Sequence, residues 1–182
     1  MQSLLSQLES FHKVAEELKQ RLIQVVTDEM YKKGNFLLKE GQVDRYIWYI
    51  EKGLVVNYKD TESGLKVTHI LEGGDFVIAP DSFASGCPTN LNILALEDTL
   101  TWRTTQSDLM DTCEELPVFY KHYTTIEGLY RKLELKFNAL TPKEKFDDLW
   151  NKRPTLFNRV KKEFLASYLD MSVSTFDNLR KG

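Results

Sequence analysis

The side chains best suited to covalent or metal chemistry are few and scattered along the sequence. Cys87 and Cys113 are the only cysteines, and their spacing matches neither a disulfide framework nor a zinc site. An iron–sulfur cluster needs about four thiolates, so the cysteine count excludes one. Of the three histidines only His69 falls in the β-rich region, whereas a metal enzyme built on a β barrel needs about three His or Glu ligands. We therefore predict a protein that is not an enzyme and holds no metal or other cofactor.

The charged residues are distributed unevenly between the two ends of the chain. From Lys143 onward there are nine Lys and Arg against six Asp and Glu, a local charge of +3, and the preceding residues carry −6. An acidic body with a basic tail fits a nucleic-acid contact at one end of the protein, and it fits a solvated surface as well.

The basic tail contains a pattern of two short helices. Residues 161–169 place apolar side chains on one side of a helix, and Asp170-Met171-Ser172 then form a three-residue turn. Ser172 is a suitable N-cap for a second helix over 173–181. This arrangement is typical of a helix-turn-helix that binds DNA, although two ordinary packed helices would give the same pattern. We expect DNA contacts from Lys161, Lys162, Ser172, Ser174, Thr175, Asn178, Arg180 and Lys181.

A long helix is predicted between Pro117, which suits a first helical turn, and Thr141-Pro142, which ends it. Apolar residues recur along it at heptad spacing, which favours the spine of a homodimer. A single helix packed on its own domain is the alternative. The predicted dimer contacts are Phe119, Ile126, Leu129, Leu133, Phe137 and Leu140.

The region from about Met30 to Arg103 has the pattern of an all-β domain. Short runs rich in Ile, Val, Tyr and Trp alternate with glycines at positions 41, 53, 64, 74 and 86. Seven or eight strands at this spacing predict a jelly roll. An amphipathic helix over 3–26, broken near Ser10-Phe11, precedes it, and a helix capped by Ser107 follows it.

The predicted organisation is therefore α+β. It consists of a helix-capped jelly-roll effector domain over 1–116, a long dimer helix over 117–141 and a short helix-turn-helix domain over 142–182. The N-terminal segment has neither an export signal nor a membrane span, so we expect a cytoplasmic protein without a membrane partner.

Several local motifs add a resemblance to a known family. LKEGQ at 38–42, YIEKGLV at 49–55 and GDF at 74–76 recur in cyclic-nucleotide-binding domains, and the tail LASYLDMSVSTFDNLRK resembles that of the transcription regulators among them. Over nearly its full length the chain resembles the cyclic-AMP receptor/FNR regulators, and in particular a subgroup with a shortened DNA-binding domain. The resemblance implies a ligand in the jelly roll, a signal through paired long helices, and recognition helices in successive major grooves.

The residues that hold a cyclic nucleotide in that family are missing here. The family glutamate that binds the ribose hydroxyl and the arginine that binds the cyclic phosphate correspond to positions within Ile78-Ala79 and Thr89-Asn90. A phosphate without a cationic partner faces a large desolvation penalty. We therefore expect no binding of cyclic AMP. The segment forms either a packed loop without a ligand or a pocket for a different effector, with Phe76, Ile78, Ala79, Phe83, Thr89, Asn90, Asn92, Tyr123, Glu127 and Tyr130 as candidate residues.

The predicted recognition helix also departs from the family. The glutamate and arginine that read base edges correspond to Ser174 and Asn178, and the turn glycine corresponds to Asp170. Aspartate enters the left-handed backbone region more readily than most residues. We expect DNA binding that is weaker or differently targeted than in the family. The leading hypothesis is a homodimeric transcription regulator with double-stranded DNA as its partner. The alternative is a ligand-sensing or protein-interaction module that has lost useful DNA binding.

Overall fold

The computed structural model describes residues 1–11, 16–115, 128, 131, 132 and 135–181. Eight strands form the centre of the molecule: β1 (Thr27–Tyr31), β2 (Phe36–Leu38), β3 (Tyr46–Lys52), β4 (Leu54–Thr61), β5 (Gly64–Glu72), β6 (Phe76–Val77), β7 (Asn92–Ala95) and β8 (Thr99–Thr105). The described helices are α1 (Gln2–Phe11), α2 (Glu16–Val25), α3 (Pro80–Ser85), α4 (Gln106–Glu115), α5 (Pro142–Lys152), α6 (Leu156–Arg159), α7 (Lys162–Tyr168) and α8 (Val173–Lys181).

The strands form two antiparallel four-stranded sheets in jelly-roll order. Sheet A runs β1-β8-β3-β6 and sheet B runs β2-β7-β4-β5. The five glycines that the sequence placed between strands all have positive φ. Four of them lie at connections between strands, as predicted, whereas Gly86 ends helix α3, which the sequence analysis did not predict. Gly53 shows the requirement most clearly, because a Cβ there would lie 2.4 Å from the Thr99 hydroxyl oxygen.

Alternating residues of the strands divide the apolar side chains into three layers. Trp48 and Ile50 lie between the two sheets, with Val55 and Ile93 of sheet B. The other face of sheet A contacts α1 and α2 through Tyr49. The other face of sheet B contacts the C-terminal helices. Each sheet is therefore covered on its outer face by one end of the chain.

Two local predictions about the β domain were wrong. Strand β1 pairs with β8 and begins three residues before the predicted region. The prediction missed these residues because Asp28 and Glu29 are not typical strand residues. The N-cap of α4 is Thr105 rather than Ser107, since the Thr105 hydroxyl oxygen accepts the Asp108 N–H at 3.0 Å.

The C-terminal helices lie against sheet B and share its hydrophobic core. Phe157 and Phe176, from α6 and α8, pack in the same cluster as Val56 and Ile70 of sheet B. The Ser167 hydroxyl accepts the Val67 N–H and donates to the Leu65 carbonyl, both at 2.9 Å. The predicted helices, the left-handed turn residue Asp170 (φ 57°) and the Ser172 cap all occur where the sequence placed them.

Candidate functional site

A large cavity lies beneath the N-terminal helices, on sheet A. Its volume is about 310 Å³, and apolar side chains supply most of its wall. Leu4 and Leu22 come from the two N-terminal helices, and Trp102 comes from β8. Asn57 and His69 also line it; these residues are paired across β4 and β5. The cavity therefore reaches from the N-terminal helices toward the space between the sheets.

The polar residues of this cavity are few, and two of them have unsatisfied atoms. Asn57 and Thr104 are 3% and 7% exposed. The Asn57 side-chain oxygen and the Thr104 hydroxyl are buried, and neither has a hydrogen-bond partner among the described residues. Arg131 lines the cavity too, whereas no acidic residue of the described wall does. A buried polar atom without a partner costs about 1–3 kcal/mol, so these residues favour a bound molecule that carries polar groups.

A second, smaller cavity lies where the resemblance places the cyclic phosphate. Its volume is about 200 Å³, and its wall includes Ala79, Thr89 and Asn90. Among the described wall residues there is no Lys or Arg, and Asp81 contributes a carboxylate. The part of the wall that the structure describes therefore offers no cation to an anionic ligand.

Asp44 fixes the backbone at the position of the missing glutamate. Its carboxylate accepts the Ala79 N–H at 2.7 Å and the Tyr46 N–H at 3.1 Å. Burial raises the pKa of Asp44 to about 6, although these two N–H donors act in the opposite direction. The Ala79 amide is therefore already bonded to a carboxylate and is not free for a phosphate.

The raised pKa of Asp44 predicts a pH-dependent stability. Between about pH 4 and pH 6 the folded state binds more protons than the unfolded state, so stability falls as the pH rises. Two pKa units correspond to roughly 3 kcal/mol. In urea unfolding, an Asp44→Asn variant is expected to gain up to that amount relative to the wild type between pH 4 and pH 7. A stability difference that stays constant across this range would contradict the assignment.

The C-terminal helix pair, α7 and α8, presents one polar and one apolar side. Ser174, Thr175 and Asn178 of α8 are exposed, while Phe176 is fully buried. The Ser172 hydroxyl oxygen accepts the Thr175 N–H at 3.1 Å. The exposed side of α8 is thus a polar surface on a rigid, core-anchored helix.

Most of the basic residues in the tail already form ion pairs within the chain. Lys162 contacts Asp177 at 2.8 Å. Arg180 donates to the Asn158 side chain at 3.2 Å. Lys161 and Lys181 are exposed and form no ion pair within the described part of the chain.

Asp170 connects the turn between α7 and α8 to the rest of the protein. Its carboxylate binds Lys66 of β5 and Lys145 of α5. Burial alone would raise the pKa of Asp170, but the hydrogen bonds from Lys145 and Lys66 outweigh it, so the pKa is lowered. An aspartate at this turn therefore forms a contact that a glycine cannot form.

The predicted effector residues divide among several places. Phe76, Ile78 and Phe83 line the large cavity, whereas Ala79, Thr89 and Asn90 line the small one. Asn92 lines neither cavity; it accepts the Glu40 N–H at 3.1 Å and donates to Asp60. The remaining candidates, Tyr123, Glu127 and Tyr130, lie outside the described residues.

The predicted dimer contacts are described only in part. Phe119, Ile126, Leu129 and Leu133 lie outside the described residues. Phe137 stacks on Tyr168 of the same chain with ring centroids 5.0 Å apart, and Leu140 is partly exposed. The dimer seam stays a prediction.

Most of the wall of the large cavity was not predicted from the sequence. Leu4, Leu8 and Leu22 belong to the predicted amphipathic helix, and His69 to the predicted β-rich region, but none of them was a predicted effector residue. Asn57, Thr104 and Arg131 were not singled out. The unusual polar residue in the apolar run LVVNY was the one available signal for Asn57.

Residues 28–115 match the family model of the cyclic nucleotide-binding domain. No curated protein sequence matches the chain. Solved structures of similar fold include a cyclic nucleotide-binding domain from Methylobacillus flagellatus, at 18% identity and a TM-score of 0.67, covering 78% of this chain and 83% of that one.

Two further structures of similar fold come from regulators. The catabolite activator protein of Thermus thermophilus has 16% identity and a TM-score of 0.59, with coverage of 94% of this chain and 84% of that one. The sensor domain of the transcriptional regulator DNR from Pseudomonas aeruginosa has 15% identity and a TM-score of 0.58, with coverage of 76% and 91%. The expected cyclic nucleotide-binding β sandwich with helices is thereby confirmed. Among the described helices none is long and apolar enough to cross a membrane.

Proposed function

We propose that this chain, whose residues 28–115 match the cyclic nucleotide-binding domain family, is a DNA-binding transcription regulator that acts as a homodimer. The C-terminal helix pair is its helix-turn-helix, with α8 as the recognition helix. The jelly roll is its effector domain and does not use a cyclic nucleotide.

The exposed polar side of α8 is the observation that carries this proposal. Phe176 anchors the helix in the core, so Ser174, Thr175 and Asn178 can approach base edges without any change in the helix itself. Asparagine forms a bidentate contact with adenine in the major groove. Lys161 and Lys181 flank this side and suit phosphate contacts, which position a protein without specifying sequence. The Thermus thermophilus activator, whose fold is similar over 94% of the chain, fits this proposal.

The surroundings of the phosphate position argue against a nucleotide effector. The small cavity has no cation in its described wall, and Asp44 already accepts the Ala79 N–H. A phosphate there would lie near the Asp81 carboxylate, and the described wall supplies no positive charge to compensate for it.

Selection from a random duplex library followed by mobility shifts tests DNA binding. We expect an enriched palindrome whose half-sites lie about one helical turn, roughly 34 Å, apart, and an affinity that falls with salt. Asn178→Ala should weaken specific binding by about 1–3 kcal/mol and relax the preference at one base pair in each half-site.

The matched control for this experiment is Asn151→Ala, which removes the same side chain from an exposed position of α5. It should leave both affinity and preference unchanged. If the library yields no enriched sequence at low salt, the DNA-binding proposal is wrong.

A protein-interaction module without useful DNA binding is the second candidate. The ion pair between Lys162 and Asp177 favours it, because Asp177 of α8 neutralises a cation that would otherwise be available for a phosphate contact. A protein partner retained by the exposed side of α8, together with no mobility shift, would support this candidate.

A further inference from the structure

The large cavity beneath the N-terminal helices has the chemistry of a ligand site, and its ligand differs from a nucleotide. We propose that it binds a small carboxylic acid with an apolar body, whose carboxylate lies at Arg131. This inference rests on the proposed function and deepens it by naming the class of effector. Ligand binding is measured without DNA, so its failure would leave the DNA-binding proposal standing.

The size of the cavity limits the ligand to a small organic molecule. At about 30 Å³ for each water molecule, 310 Å³ corresponds to roughly ten water-sized groups. An acid of about eight carbons has a similar number of non-hydrogen atoms. Pockets of about 300 Å³ stand at the lower end of those that bind small ligands.

The composition of the wall favours an apolar body. Leu4, Leu8 and Leu22 form the helical side, and Phe76 and Trp102 form the side of sheet A. A hydrocarbon chain that packs against these residues is removed from water, and each buried methylene improves binding about three- to four-fold. The wall thus selects for chain length up to the size of the cavity.

The charge of the wall favours an anionic head group. Arg131 is the one Lys or Arg among the described wall residues, and those wall residues include no Asp or Glu. Arg131 is exposed, which places the charged end of the ligand near the mouth of the cavity. A guanidinium has five N–H donors, so it can bind a ligand carboxylate in addition to a protein partner.

Two unsatisfied polar atoms show that the cavity is more than an apolar packing defect. The Thr104 hydroxyl is buried without a partner in the described structure, and so is the Asn57 side-chain oxygen. A dry hydrocarbon would leave both unsatisfied. Each of them can bond to a polar substituent of the ligand or to a water molecule carried in with it.

Titration calorimetry of the full chain with octanoate, 1-octanol, butanoate and cyclic AMP tests the proposal. We expect octanoate to bind at one site per chain, at least ten-fold more tightly than 1-octanol and about a hundred-fold more tightly than butanoate. Cyclic AMP should give no heat at the same concentrations. Trp48 and Trp102 line the cavity, so octanoate should also change the intrinsic fluorescence.

Three variants separate the contributions of charge and space. Arg131→Gln should abolish the preference for octanoate over 1-octanol, whereas Lys132→Gln, at the next exposed position, should preserve it. Ala84→Trp, at an exposed wall position on α3, should block both ligands without disturbing the core. Circular dichroism and thermal unfolding verify that each variant is folded.

Three results would overturn the proposal. Equal affinity of the wild type for octanoate and 1-octanol, or a preference that survives in Arg131→Gln, would refute the anionic ligand. The absence of binding at millimolar octanoate would refute the site. Tighter binding of cyclic AMP than of octanoate would assign the jelly roll to nucleotides instead.

Discussion

Replacing Arg159 with methionine is expected to lower the free energy of unfolding by about 2–3 kcal/mol and to loosen the C-terminal helices from sheet B. Arg159 donates to both carboxylate oxygens of Glu97, at 2.9 and 2.8 Å, and to Glu72 at 2.7 Å. The hydrogen bonds from Arg159 lower the pKa of Glu97, which places the negative charge firmly on that partner. Methionine preserves much of the apolar stem, and Glu72 keeps its ion pair with Arg153. The partly buried Glu97 carboxylate, however, loses the cation that it binds through both oxygens, and leaving one partner of such a pair unpaired is costly.

Urea unfolding measures this loss, and hydrogen exchange locates it. Lys152→Met is the matched control, because Lys152 pairs with Asp148 at 2.6 Å but is 71% exposed. An exposed pair of this kind contributes about 0.5 kcal/mol or less. Equal losses in the two variants would show that Arg159 does not hold the helices in place.

Truncation of Phe176 to alanine is expected to lower the free energy of unfolding by about 3–5 kcal/mol, more than the loss of Arg159 does. The ring is fully buried. It stacks on Phe157 at 5.8 Å and meets Phe146 edge-on at the same distance. Because domains are stable by only about 5–15 kcal/mol, this loss should unfold the helix pair and abolish the proposed DNA binding.

Amide hydrogen exchange distinguishes local from global unfolding in this variant. We expect α7 and α8 to lose protection while the strands of sheet A retain theirs. Leu135→Ala is the control, because that side chain is 65% exposed and its truncation should change stability by less than about 0.5 kcal/mol. Retained protection of α8 in the Phe176 variant would contradict the role of this ring.

Local backbone chemistry made much of the fold predictable from the sequence. Glycines at turns, the left-handed Asp170 and the Ser172 cap each depend on residues close in sequence, and the structure has all of them. The start of strand β1 was not predicted because Asp28 and Glu29 are poor strand formers. Pairing with β8 holds them in the strand. A five-residue strand that depends on its neighbour has little signal of its own.

The attachment of the tail to sheet B depends on contacts between distant residues and could not be predicted. Arg159 binds partners 62 and 87 residues away. Lys145 is only 3% exposed, although lysine side chains are rarely buried. Its burial is possible because its ammonium group forms an ion pair with Asp170. From its local charge of +3 alone, the tail was expected to present a basic surface. In the structure, six of its nine Lys and Arg residues form ion pairs within the chain.

The cavity was predicted only in the segment that the family resemblance indicated. Phe76, Ile78 and Phe83 were among the predicted residues, but the rest of the wall comes from helices and strands far away in sequence. Where helices α1 and α2 lie on sheet A decides whether a space remains beneath them. That placement depends on tertiary packing and cannot be predicted from the amphipathic periodicity of the helices.

The hydrogen bonds of Ser167 have a consequence for solubility. Strand β5 is the last strand of sheet B, so one side of it has no neighbouring strand. The Ser167 hydroxyl occupies the Val67 N–H and the Leu65 carbonyl on that side. An uncovered strand edge is a template for pairing with another chain and for aggregation. Any motion that moves α7 and α8 away from sheet B therefore also exposes this unpaired strand edge. The C-terminal helices thus protect the protein from aggregation through β5.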